Sequence, residues 1–482
     1  MNRAYGSLVV GGLLTGSAMA APVGSDNWDP GFGDPGLQIA FGGAEQAAAG
    51  PSAMCVDAQG NVYLAGGNWN RLDGTSFVAQ PNFAVWSREG GEWSTFGNNA
   101  TAAGIFEMAA HGTDVYCGGQ WSLFFDGGGI LPAKGVVKWD GTAWSALGTG
   151  IEEGPFGLPA SVEAMAFDAE GNLYVGGQFA KAGGLAARNV AKWDGVAWSP
   201  LGAGLESRVA TLAFGPDGKL YAGGVFNEGL LRRVACWDGS EWQPLGAGFT
   251  SGEVAALVFD GEGNIYAGGS FQFITAPDLG PGFVSANRVA RWDGSAWSPL
   301  GAGVNDNVRS LAFANGALIA GGSFSATGDG TTSLNNLAVW DGAGWQSLGG
   351  GTSHSGGGNA TVFHLLVSAD PSNPSRSQLV AGGPFDRAGE HPANNVALWN
   401  LGASPDPSAP RLQLSLSDDE GFNLLIESEA GVVYEILFAP ALAAGFSSVT
   451  SVPGDGGMVS ATVEIPDSDA GFYVVIARRQ ND

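Results

Sequence analysis

The chain has 482 residues, with 20 basic against 46 acidic side chains, a formal charge of −26 and a sequence pI near 4.3. So acidic a surface repels nucleic acid and anionic membrane, and no Lys/Arg run offsets it. Hydrophobic content of 44%, with 16 Trp and 81 Gly, excludes a disordered polar chain and points to a folded one dense in turns.

In chain order, Met1–Ala4 carries one positive charge, Leu8–Leu14 is apolar, and Ala18-Met19-Ala20 supplies small residues before a cut. That order reads as a secretory signal over residues 1–20, so a secreted, extracellular or cell-surface protein is expected. No later stretch is long and apolar enough for a transmembrane helix. Residues 21–36 are Pro/Gly/Asp-rich and read as irregular. Leu37–Gly43 (LQIAFGG) then reads as an orphan strand.

From there the chain repeats. Asn189–Gly204, NVAKWDGVAWSPLGAG, reads as two strands joined by an Asp-Gly turn, with Trp193 and Trp198 on one face. The same pattern returns at Lys138–Gly150, Cys236–Gly248, Arg291–Gly303 and Val339–Gly351, and more loosely at Val85–Gly97 and Leu398–Gly402. Ahead of it, the third copy has a first strand at Val162–Asp168 and a second at Asn172–Phe179 carrying Gly176-Gly177. The Gly pair recurs at one place in every copy. Because Gly weakens a strand, its recurrence implies close approach by a neighbouring backbone or ring. Fifteen of the 16 Trp fall in register, so they are core.

Four strands per unit, with units of about 45–60 residues, suit propeller blades. The order apolar strand, Gly-Gly, loop, V-A-x-W-D-G-x-x-W-x-x-L-G resembles a kelch-type repeat, in the short-looped form of secreted bacterial proteins. The resemblance covers residues 37–402 and implies an all-β fold, a seven-bladed β-propeller. The seventh unit lacks a second Trp after Trp399, so Leu37–Gly43 is expected to supply its outermost strand, beside Asn395–Asn400, and close the ring. Residues 403–410 (ASPDPSAP) form a linker. Residues 411–482 hold five or more strands and read as a small β-sandwich.

The repeated Asp140, Asp194, Asp238, Asp293 and Asp341 suggest turn chemistry, since a catalytic site needs only one or two. Asp57, Asp168 and Asp260 read the same way. Cys55, Cys117 and Cys236 lie in different repeats and read as free thiols at ordinary repeat positions. The enzymatic alternative is a galactose-oxidase-like copper oxidase or a carbohydrate-active enzyme on the same fold. A copper oxidase would need Tyr and His converging on a metal, and His111, His354, His364 and His391 are the whole histidine supply. No cofactor is implied.

The asymmetry is in the loops. First-to-second and third-to-fourth turns are short and repetitive, whereas Ser122–Lys134, Gln272–Asn287, Ser325–Asn335, Asp386–Asn394, Ile151–Ser161 and Thr352–Thr361 are long. They make a non-catalytic binding or scaffold protein the expected function, with an extracellular glycan or protein as ligand and a monomer as the expected state. The candidate contacts are Phe124, Phe125, Asp126, Phe156, Phe273, Asp278, Phe283, His354 and His391.

Overall fold

The computed structural model describes residues 37–38 and 50–403, apart from 67–68, 74–75, 81–82, 98–103, 127, 276–282, 358–359 and 371–372. Beyond 403 it describes the strands Leu412–Leu416, Gly421–Glu427, Val432–Ala439, Ser447–Pro453, Met458–Glu464 and Phe472–Arg479. The expected signal at 1–20, the irregular segment at 21–36 and the linker from 404 to 410 lie outside the described residues.

Six four-stranded antiparallel sheets follow one another within residues 53–95, 105–146, 161–200, 209–244, 254–299 and 308–347. A three-stranded sheet follows within 364–403. The first strand of each sheet lies against the first strand of the next, and His364–Asp370 of the last sheet lies against Ala53–Val56 of the first. Sheets set radially with their first strands innermost and the ends meeting make a β-propeller. Residues from Ala403 form a separate unit, with two three-stranded sheets in the strand orders 412–416, 421–427, 458–464 and 447–453, 432–439, 472–479.

The Trp-Asp-Gly hairpins hold the seams. Trp193 pairs directly with Trp198, their rings 5.3 Å apart. In four hairpins the second Trp is buried and points its indole N–H into the preceding sheet. Trp198 Nε1 donates to Leu147 O at 2.8 Å, Trp144 to Gly97 O at 2.9 Å, and Trp297 and Trp345 to Leu245 O and Leu300 O at 3.0 Å. The first Trp covers the Gly after that Leu, Trp193 lying over Gly148 and Trp292 over Gly246. Thus the Leu-Gly ending each repeat is the seat for the next hairpin. Trp242 departs from the pattern, since its indole N–H has no partner.

The Gly pairs do what their recurrence implies. A Cβ on Gly118, Gly176, Gly223, Gly268 or Gly321 would lie within 2.6 Å of Val162, Val209, Val254, Val308 or Val362 of the following sheet. The same relation closes the ring, because Gly382 is covered by Met54 and Pro51. Closure therefore comes from packing between the last and first sheets.

This corrects the expectation for Leu37–Gly43. Leu37 and Gln38 pair with Arg71 and Asn70 rather than with Val396–Trp399, and residues 39–43 lie outside the described residues. The reason repeats elsewhere. Ile151–Glu152 pairs with Lys181–Ala182, and Thr352–Ser353 with Arg387–Ala388, each a lead-in segment bound to its own sheet's second-to-third loop. Leu37–Gln38 is the lead-in of the first sheet.

Two stability tests follow from the seams. Trp198→Ala should cost about 3–5 kcal/mol by loss of packing, and Trp198→Phe about 1 kcal/mol from the lost N–H bond. Denaturant unfolding reads both, and an unchanged midpoint for Trp198→Ala contradicts the seam role. Gly268→Ala should cost about 1–3 kcal/mol by overpacking against Val308 and Leu311. Gly261→Ala, on an open turn, should be close to neutral.

Candidate functional site

The two ends of the ring differ in chemistry. At the end bearing the short turns, every repeated Asp is spent on its own backbone. Asp194 Oδ1 accepts the N–H of Val196 and of Ala197, at 2.8 and 2.7 Å, and Asp140, Asp238, Asp293 and Asp341 do the same two and three residues on. Those donors hold the Asp140 and Asp293 carboxyls down at about 2. Asp57, Asp168 and Asp260 each accept the backbone and side-chain N–H of an Asn four residues on. This end is a set of self-satisfied turns.

The other end breaks the repeat. In five sheets the first strand carries a bulge just after its first apolar residue, opposite the Gly pair. The extra residues are Phe106, Glu163, Ala210, Ala255 and Arg309, five equivalent positions filled by an aromatic, an acid, two alanines and a base. A bulge re-aims a side chain out of the ladder. Since the first strands are innermost, these residues surround the axis, at the end where the second-to-third loops begin.

Their neighbours form a network across sheets. Arg208 bridges Glu163 of the third sheet, at 2.8 Å, and Glu253 of the fifth, at 2.5 Å. Ser161 Oγ donates to the other oxygen of Glu163. The Arg309 guanidinium lies 5.7 Å from the centre of the Phe363 ring, between the sixth and seventh sheets. Next to these, burial pushes the Glu107 carboxyl up to about 8, and Glu107 in turn helps to raise the Cys55 thiol. Burial holds the His364 imidazole down at about 4, against the backbone of Pro51 and Ser52.

The residues expected from sequence fall in several places. Phe124 is fully buried among Phe83, Trp121 and Trp144, so it is core and not a contact. It sits in a two-residue strand, and alternation sends Phe125 outward, 48% exposed. Asp126 caps its own turn, accepting the N–H of Gly128 and Gly129. Phe156 is fully exposed. Phe273 and Phe283 are exposed on one hairpin, and Asp278 lies outside the described residues. His354 is largely buried with Nδ1 3.6 Å from Asp386, and His391 lies on the next strand of that small sheet.

The seventh sheet's loops thus hold a serine, a histidine and an aspartate, but in a structural order. Ser355 Oγ donates to Asp386 Oδ2 at 2.6 Å and Ser355 N to Oδ1 at 2.8 Å. The hydroxyl is bound to the carboxylate and not to the imidazole, so the arrangement pins a loop. Among the described residues no group of three or more His, Cys, Asp or Glu is placed to hold a metal. The three cysteines are free and buried.

Fold and side chains together define a β-propeller with one uniform end and one individual end. Neither the known protein families nor the curated proteins give a match to this sequence. Among solved structures the chain is similar to YCF48 bound to a D1 peptide, at 14% identity and TM-score 0.43, over 77% of this chain and 98% of that one. It is also similar to a gluconolactonase from Xanthomonas campestris, at 15% identity and TM-score 0.34, over 57% of this chain and 83% of that one. A third is the uncomplexed acylaminoacyl peptidase of Pyrococcus horikoshii, at 11% identity and TM-score 0.37, over 89% of this chain and 64% of that one. Likenesses this distant say nothing of activity or partner.

Burial of Glu107 gives a signed pH effect. Its folded value lies above the unfolded value of 4.5, so the native state holds the proton more tightly and stability falls as pH rises from 4.5 to about 8. His364 acts oppositely, costing stability as pH falls from 6.5 towards 4. Glu107→Gln should flatten the decline in melting temperature between pH 6.5 and 8. A variant whose profile parallels the wild type across that range shows that Glu107 does not titrate there.

Proposed function

We propose that this chain is a secreted or cell-surface binding protein that holds a glycan or protein without turning it over. In this reading it is a seven-bladed, kelch-type propeller, with a small β-sandwich after residue 403. The ligand is taken at the end of the ring that bears the bulges and the long loops.

The observation that carries the reading is the contrast between the two ends. The short-turn end presents the same Asp-capped turn sheet after sheet, so a partner would find little there to tell one sheet from the next. At the bulge end the equivalent positions hold an aromatic (Phe106), an acid (Glu163), a base (Arg309) and two alanines (Ala210 and Ala255), so four residue types stand where the other end repeats one. A rigid ring with individual side chains converging at one mouth is a preorganised recognition surface. Exposed Phe125, Phe273 and Phe283 extend it along the loops.

Screening the mature protein on glycan and peptide arrays, then mapping hydrogen exchange with the best hit, tests the reading. Protection should fall on the bulges and the second-to-third loops. Arg309→Ala combined with Phe106→Ala should weaken that hit about tenfold or more, with little change in melting temperature. Protection confined to the short-turn end, or release of a modified ligand at a steady rate, would overturn it.

A further inference from the structure

The seam between the second and third sheets carries a cleft of about 280 Å³ at the bulge-bearing end. Its lining includes Trp121, Ser122, Lys134, Ile151, Leu158 and Pro159, drawn from the second sheet's long loop and from the connection into the third sheet. The two sides are braced. Ile151 N–H donates to Lys134 O at 2.9 Å, Lys134 Nζ pairs with Glu152 at 2.8 Å, and Gln120 Nε2 donates to Pro159 O at 3.2 Å. Trp121 and Ile151 are buried, so the cleft is built on packed side chains.

The segments that line the cleft also carry Leu123, Phe125 and Ile130 on one side and Phe156 and Leu158 on the other, all exposed. Large apolar side chains left in water usually occur singly. Phe156 stands fully in solvent on the turn Pro155–Gly157, and its φ of 57° is one that a non-glycine residue seldom adopts. Glu153, with φ 59°, shares that conformation and pairs with Lys181. Strain of this kind tends to gather where a surface is shaped for a partner.

We propose that this cleft receives an apolar side chain (Leu, Ile or Phe) from an extended segment of another protein. The inference rests on the binding reading above and narrows it to a protein ligand at one seam. The chemistry of the lips favours that occupant. Three of the five lip residues, Leu123, Ile130 and Leu158, offer no flat face for a sugar ring to stack on, and with Phe125 and Phe156 they suit an aliphatic or aromatic anchor seated in a pocket. The charged groups at the cleft cancel as Lys134–Glu152 and Lys181–Glu153, on a chain whose formal charge is −26. A second copy would bring that same negative charge, and an acidic segment would meet it, so a neutral apolar segment from elsewhere is the complementary partner.

The test uses the mature full-length protein and blocked decapeptides with a central Leu, Ile or Phe among neutral polar residues, beside Asp-centred counterparts and a glycan array. Apolar-centred peptides should bind and Asp-centred ones should not. Leu158→Asp should lower the affinity about tenfold or more while leaving the melting temperature within about 2 °C. Val196→Asp, an exposed apolar residue on the short turn of the third sheet, should leave both unchanged. No binding of apolar-centred peptides, or wild-type affinity in Leu158→Asp, overturns the proposal. Glycan binding without peptide binding overturns this inference and leaves the binding-face reading standing, whereas silence on both arrays overturns both.

Discussion

The structure depends on one contact repeated around the ring, an indole N–H on one sheet donating to a Leu or Gly carbonyl on the sheet before it. Each bond alone contributes about 1 kcal/mol, but it lies beneath a buried Trp and beside a Gly whose missing side chain lets the next Trp settle. Leu147 O and Leu300 O also accept the N–H of Gly150 and Gly303, so there the indole takes the second lone pair of a carbonyl already held in its own turn. Hydrogen bonding and packing therefore demand the same residue, and Trp meets both demands. The Gly pairs add a second lock nearer the axis, where Val of the following sheet fills the space that a Cβ would occupy.

With the seams held by residues that must recur, variation gathers at positions outside the Trp and Gly contacts. The bulge residues are such positions. Phe106, Glu163, Ala210, Ala255 and Arg309 leave the ladder, so their identity is not dictated by pairing. Only Glu163 among them is tied into an ion pair, through Arg208. The second-to-third loops also lie outside those contacts, and in the third and seventh sheets they are held by backbone pairing to the lead-in segments, which sets no particular side chain. A constrained scaffold and an unconstrained mouth are two results of one packing rule.

The scaffold was legible in the sequence because its contacts require particular residues at a fixed period. Trp193 and Trp198, the Gly pairs and the capping Asp all announce themselves by returning. The bulge-bearing end was only partly legible, for the opposite reason. Glu163, between Val162 and Ala164, reads as the polar side of an ordinary alternation, and Arg309, between Val308 and Ser310, reads as part of a polar strand start. The available signal was that this position holds Phe106, Glu163, Ala210, Ala255 and Arg309 directly after an apolar position that stays Ile or Val. Phe124 was misread because a loop aromatic can face either way, and two-residue strands such as Phe124–Phe125 give no pattern long enough to decide. Leu37–Gly43 was misplaced because counting strands says how many edges exist and not which edge a segment finds. The lead-in pairing depends on loop geometry, which composition does not reveal.

The direction of the seam contacts sets a timetable for the growing chain. Each Trp and each Val seats on a sheet that lies before it in the sequence, so during synthesis the receiving surface is already made when its occupant emerges. The array can thus dock one sheet at a time, with local contacts leading and little apolar surface waiting uncovered. One seam runs the other way. Pro51 and Met54 are made first and must wait for Gly382, so the first sheet keeps an open flank until the last has left the ribosome. That flank, with Met54, Pro51 and Gly50, is where an unfinished chain is open to a wrong neighbour.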